Sequence, residues 1–233
     1  MKKDKILFIG RKDDYYCNKA YKILKENFTN IKVVWSSFPG EKYHRHFKKK
    51  FDYIFSLRGY FILNKKTLSN VKEYAINFHP SIPKYRGFSP TNYAIIDGLN
   101  YHGCTAHIMS EKLDSGQILN VKKFRISNKD NLNDILTKTY KYQLKQFQMI
   151  VNKIIQDKGN LSKLIKSSKK EKWAKKIRSK RDIDKLYEIN LNQSKKKILN
   201  QLRATILNNS RFLPYIKKDN VKYVIIKEKL NES

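Results

Sequence analysis

The sequence predicts an α/β domain: a mostly parallel sheet flanked by helices, followed by a short C-terminal helix-and-strand appendage. Three observations carry this. Short apolar runs of strand length occur at residues 5–10, 31–35, 53–57 and 74–78, and stretches with helical spacing alternate with the early ones. Strands and helices alternating in that way build right-handed βαβ units and hence a parallel sheet. The 233 residues, 40% of them apolar, suffice for one such domain and a small addition.

The elements follow in order. Residues 5–10 read as a buried strand, with Ile6-Leu7-Phe8-Ile9 closed by Gly10. Residues 15–26 place Ala20, Ile23 and Leu24 on one side of a helix. A second strand at 31–35 leads into a polar, basic loop at 36–50 that contains Pro39-Gly40 and room for a short helix. A third strand at 53–57, a short helix within 62–71 and a fourth strand at 74–78 complete the first block. Two prolines and a glycine make 79–87 an ordered loop, and Pro90 sits in the first turn of a helix over 90–97. Strands at 104–109 and 117–126 are joined by the loop 110–116. A long amphipathic helix from 133 to about 157 carries Ile135, Leu136, Leu144, Phe147 and Ile150, and Gly159 ends it. Residues 163–181 are a dense basic run, the composition of a solvated linker. A helix at 194–206 and a strand at 223–226 follow, so the division expected is a main domain over 1–160 and an appendage over 161–233.

The net charge is +31. Such a charge suits an anionic partner, whether nucleic acid, nucleotide or polyglutamylated folate. Lysine far outnumbers arginine, however, and Lys, Ile and Asn are abundant together, which fits a composition bias better than dedicated phosphate recognition by Arg forks. Cys17 and Cys104 are too few and too far apart for a disulfide framework or a metal site. The N-terminal apolar run is too short for a signal peptide and no stretch has the length of a membrane span, so a cytoplasmic protein without a membrane partner is expected.

Chemistry concentrates in two segments. Asn77-Phe78-His79-Pro80-Ser81-Ile82-Pro83-Lys84-Tyr85-Arg86-Gly87 ends a strand and opens a stiffened loop, at the strand end where open α/β sheets hold ligands. The Asn-x-His spacing puts both side chains on one face of an extended segment. The imidazole can relay a proton and the amide can hold an oxyanion without changing charge, tools that suit acyl transfer to an amine. The second segment runs from His102-Gly103-Cys104-Thr105-Ala106-His107-Ile108-Met109 to Leu113-Asp114-Ser115-Gly116. His44-x-His46 lacks a third ligand and reads as surface, so no metal is expected.

In combination, Asn77-Phe78-His79-Pro80-Ser81, Tyr85-Arg86-Gly87 with Pro90 and Ala94-Ile95, Gly103-x-Thr105 with His107 and Met109, and Asp114-x-Gly116 resemble the folate-dependent formyltransferase family. The resemblance is strong over 50–125 and fainter over 170–226. It implies a Rossmann-like formyltransferase fold and a catalytic set of Asn77, His79 and Asp114. Asn77 and protonated His79 would hold the oxyanion, with Asp114 orienting His79 and raising its pKa. The cosubstrate implied is N10-formyltetrahydrofolate. Its pterin would lie between Phe61, Ile62 and Leu63 and the loop 110–114, with Ser81, Glu111 and Asp114 as further contacts. The family's His-x-Ser-Leu-Leu-Pro loop is one residue shorter here, at Ser81-Ile82-Pro83.

The segments Leu202-Arg203-Ala204-Thr205 and Phe212-Leu213-Pro214-Tyr215 are similar to the tail of sugar-nucleotide N-formyltransferases. The partner implied is a dTDP- or UDP-linked amino sugar used for surface polysaccharide. Lys84, Arg86 and Arg203 are its candidate phosphate contacts, Tyr85 or Tyr93 its candidate base platform, and Gly87 and His107 further wall residues. A homodimer is compatible with that resemblance. Two other readings stand beside it. Methionyl-tRNA formyltransferase is favoured by the basic stripe with Trp173 and disfavoured by the short tail. A non-enzymatic basic protein that binds nucleic acid would show salt-sensitive polyanion binding.

Overall fold

The computed structural model describes residues 2–207 and 212–226. The first half alternates as its pattern predicts: β1 (Lys2–Arg11), α1 (Tyr15–Asn27), β2 (Phe28–Ser36), β3 (Phe51–Leu57), α2 (Lys65–Leu68) and β4 (Val71–His79). Next come β5 (Arg86–Gly87), α3 (Pro90–Ile96), β6 (Tyr101–Ile108), β7 (Ile118–Arg125) and α4 (Leu132–Gln156). The remainder holds α5 (Ser162–Ser167), β8 (Ile177–Arg178), α6 (Lys180–Tyr187), α7 (Lys195–Thr205), β9 (Tyr215–Lys218) and β10 (Val221–Val224).

The central sheet has six strands in the order β2-β1-β3-β4-β6-β7. The first four run parallel, while β6 and β7 are antiparallel to their neighbours. Ile6, Leu7, Phe8 and Ile9 are all fully buried, because both faces of β1 are covered. Ile6 and Phe8 face α1 and α4, where they meet Leu24, Phe147 and Ile150. Leu7 and Ile9 face the other side, with Val34, Phe47, Ile54 and Leu63. Burial of one such side chain contributes about 1.5–3 kcal/mol, so these two layers hold the sheet. The expected helix in 62–71 is a single turn. The Asn64 side chain accepts from the Thr67 amide to start it, and β4 claims the chain again at Val71.

The basic run after residue 160 differs from expectation. Leu161 is buried in the main core with Leu164 and Ile165 against it. Ser168 Oγ donates to the Leu119 carbonyl and the Ala174 amide to the Pro83 carbonyl. β8 then pairs with β5 in parallel. Lysines point outward between these anchors, so the stretch is packed onto the main body up to Arg178 and is no solvated linker. Beyond it α7 packs on α3, and β9 and β10 form a separate hairpin.

Candidate active site

Asn77 and His79 occupy alternate positions at the carboxyl end of β4 and thus share a face. The neighbouring β6 runs the other way, which sets Asn77 opposite His107 and His79 opposite Thr105. His107 Nδ1 lies 3.0 Å from the Ile108 carbonyl, which can only accept, so Nδ1 carries the hydrogen. Its Nε2 is then the acceptor for the Asn77 Nδ2 amide at 3.2 Å. One Asn77 hydrogen is thereby fixed and the second remains for another acceptor.

Asp114 enters from the loop between β6 and β7 in a left-handed conformation, φ +46°, uncommon for a residue with a Cβ. Arg86 holds it there. Its Nε donates to the Asp114 carbonyl at 2.6 Å and its Nη2 to the Leu113 carbonyl at 3.1 Å. Nη1 donates to the Ala174 carbonyl at 2.8 Å. The Asp114 carboxylate accepts the Gly87 amide at 2.9 Å. It stands 3.2 Å from His79 Nδ1 through Oδ2 and 3.6 Å from His107 Nε2 through Oδ1. Gly87 has φ +83°, and a Cβ there would collide with the Arg178 backbone, so only glycine admits both the β5–β8 pairing and this amide contact.

Burial alone would raise the Asp114 carboxyl, but the neighbouring His79 and His107 rings and the Gly87 amide outweigh it and hold it at about 2. His79 moves the other way from expectation. Its ring is only 3% exposed, and burial takes its pKa below the ordinary value. Asp114 and the Tyr85 carbonyl pull upward without reversing this. Nε2 donates to that carbonyl at 2.6 Å, so in the neutral ring Nδ1 is bare and faces Asp114 Oδ2. A proton arriving at Nδ1 would complete an Nδ1–H···Oδ2 bond.

These groups form one wall of a cavity of about 470 Å³ at the carboxyl ends of the strands. Phe61, Ile62, Leu63 and Met109 give it an apolar side, and Gly87 and His107 also line it. Ser81 does not: it is fully buried, and its carbonyl accepts from Thr105 Oγ1. Glu111 is exposed and outside the lining.

Most phosphate and base candidates are occupied elsewhere. Arg86 spends its guanidinium on three carbonyls. Lys84 pairs with Asp97 at 3.4 Å, outside the cavity. Tyr85 is fully buried with its hydroxyl donating to Asp97, and Tyr93 donates to the Asp182 carbonyl. Arg178 lies over both tyrosine rings. Arg203 donates to the Ser127 and Asn128 carbonyls, again away from the cavity. A charged or aromatic letter near a motif does not reveal that the fold has already taken its hydrogen bonds.

Residues overlooked in the sequence include Arg11, at the end of β1, and Arg58, just after β3, both in the cavity wall. Arg11 lies over the Tyr60 ring at 4.5 Å. Arg58 pairs with Asp14 at 3.2 Å and stacks on Tyr140. Their location at carboxyl strand ends was the available signal. Trp173 stands edge-on to His79 and His107, with ring centroids 5.8 Å and 5.1 Å away.

Fold and site define an α/β protein with an amide, an imidazole and a carboxylate converging on a strand-end cleft. The family model described as Formyl transferase matches residues 41–151, and over that stretch the chain is similar to that family. A methionyl-tRNA formyltransferase from Mycoplasmopsis pulmonis is 28% identical over 150 residues, which are 64% of this chain and 50% of that protein. The chain spans half or less of the length of the curated relatives it matches. Among solved structures, a 4-N formyltransferase from Francisella tularensis superposes with TM-score 0.75 at 20% identity, over 96% of this chain and 97% of that one. An N-formyltransferase from Helicobacter canadensis, solved with folinic acid and dTDP-3-aminofucose, gives TM-score 0.71 at 18% identity, over 94% and 86%. At these identities the likeness is one of fold.

Proposed function

We propose that the protein transfers a formyl group from N10-formyltetrahydrofolate to the primary amine of a nucleotide-linked amino sugar, with a dTDP-4-amino-4,6-dideoxyhexose or its 3-amino isomer as the substrate class. The observation that carries this reading is the meeting of Asn77, His79 and Asp114 at one cavity wall, with His79 Nδ1 3.2 Å from Asp114 Oδ2. The sugar assignment draws support from the solved relatives, whose likeness runs through the tail as well as the sheet.

The folate supplies the formyl carbon. The Asn77 hydrogen not used by His107 would donate to the formyl oxygen as negative charge develops there. Neutral His79 would accept the proton leaving the amine, and Asp114, ionised at neutral pH, would steady the imidazolium. The proton then passes to the departing folate nitrogen. The apolar side at Phe61, Ile62 and Leu63 suits a flat heterocycle and keeps water from the carbonyl.

The test is formyl transfer to a panel of dTDP- and UDP-amino sugars, read by mass spectrometry with the folate donor present. A formylated sugar nucleotide is expected. Product with methionyl-tRNA alone would move the assignment to the activity named for the curated relatives. No product with any amine would overturn the transferase reading.

A further inference from the structure

Trp173 belongs to the stretch that reads in sequence as a basic linker, and it is not part of the cavity wall. Its indole Nε1 donates to the Gly116 carbonyl at 2.7 Å. That bond ties it to the loop carrying Asp114. The same ring meets His107 at 86° and His79 at 68°, an edge contact with each. The next residue, Ala174, gives its carbonyl to Arg86 and its amide to Pro83, and β8 locks the stretch onto β5. Trp173 therefore sits where four pieces of the centre converge: β4, β6, the Asp114 loop and β5. His79 and His107 are 3% and 2% exposed. The cavity opens on one side of them and the indole covers another.

The geometry points to Trp173 as a positioning residue of the formyl-transfer centre, which seals and orients the His79–Asp114–His107 cluster from the side away from the substrate. The inference rests on the proposed reaction for its effect on rate, but the placement itself does not. The titratable and charged groups facing the cluster are His79 from β4, His107 from β6, Asp114 from its loop and Arg86 from β5. Lys172 and Lys175 flank the indole in sequence and are exposed. Taking the indole away admits water to both imidazoles. It relieves the burial that disfavours a charged His79 and leaves the Gly116 carbonyl without its donor.

The experiment compares Trp173→Ala, Trp173→Gln and Trp173→Phe with the wild type, by NMR titration of the histidine ring protons and by the pH dependence of kcat. Alanine and glutamine should each move the His79 titration toward higher pH by about half a unit or more. The acid limb of kcat should shift with it, and kcat should fall about tenfold with KM changed much less. Phenylalanine, which keeps the apolar cover, should restore the wild-type titration. An unchanged urea-melt midpoint serves as the control for an intact fold. If alanine does not fold, glutamine decides. Folded Ala or Gln protein whose His79 titrates within about 0.2 units of wild type overturns the inference, and so does a loss confined to KM. A wild type that formylates nothing, with His79 still responding to Trp173, would sink the proposed reaction and leave the placement standing.

Discussion

The side chains of Asn77 and His107 face each other across β4 and β6 and share a hydrogen bond of 3.2 Å. Antiparallel pairing puts directly opposed side chains within reach, so the sheet itself aims the amide. Asn77→Ala should lower kcat by about a hundredfold to a thousandfold, the range for losing one oxyanion donor. Stability should change little, since Asn77 is only half-buried. His107→Leu should reproduce part of the rate loss by freeing the amide to rotate. Steady-state kinetics of both variants checks the pair.

The rate should follow the protonation of His79. Because burial lowers its pKa and the proposed reaction uses the neutral ring as proton acceptor, kcat should rise with pH and level off with an apparent pKa below the ordinary 6.5. A pH–rate profile whose acid limb lies above 6.5 would contradict this assignment.

Asp114 makes a separate contribution to stability. Its carboxyl is held at about 2 against an ordinary 3.8, so the folded state prefers the ionised form. That contribution, about 2 kcal/mol, is fully present above pH 3.8 and is lost as pH falls through about 2. Asp114→Asn keeps an acceptor for the Gly87 amide but should lack this acid dependence in urea melts. It should also lose about a hundredfold or more in rate.

His102 predicts a second acid transition, at higher pH. It is fully buried, with its Nε2 3.1 Å from Thr91 Oγ1, and burial lowers its pKa from 6.5 to about 4. The neutral ring is the one the fold accepts. Its contribution of about 3 kcal/mol is complete above pH 6.5 and disappears as pH falls through about 4. His102→Gln should flatten the stability curve in that window while leaving kcat at neutral pH nearly unchanged.

Arg86 separates a binding role from a structural one. With Nε, Nη1 and Nη2 each donating to one of the Asp114, Ala174 and Leu113 carbonyls, Arg86→Ala should cost several kcal/mol and lower Tm markedly. A variant of wild-type stability with only a raised KM for nucleotide sugar would return Arg86 to the substrate.

The sheet was legible because its strands are buried on both faces and read as unbroken apolar runs, as at Ile6-Leu7-Phe8-Ile9. Asn77 and His79 were legible for an equally local reason, a spacing of two on an extended chain. Arg86 was misread because a guanidinium near a motif looks the same in sequence whether it meets phosphate or three carbonyls of its own chain. Trp173 and the packed stretch around it were hidden by the lysines that surround Leu164, Ile165 and Trp173. Composition reports what faces water and says little about the few side chains that do not. The direction of the His79 shift needed three dimensions as well, since Asp114 argues for one sign and burial for the other.

The pairing of β8 with β5 has a consequence for biosynthesis. A chain made from its N-terminus can settle its sheet early, yet the strand that clasps Gly87 and the carbonyl that receives Arg86 come from residues 174–178. The centre is thus completed only once those residues are made. A nascent chain halted before that point would own every proton-carrying group of the site while lacking the clamp that aligns them, so the geometry of the site should appear abruptly when residues 174–178 can fold back onto β5.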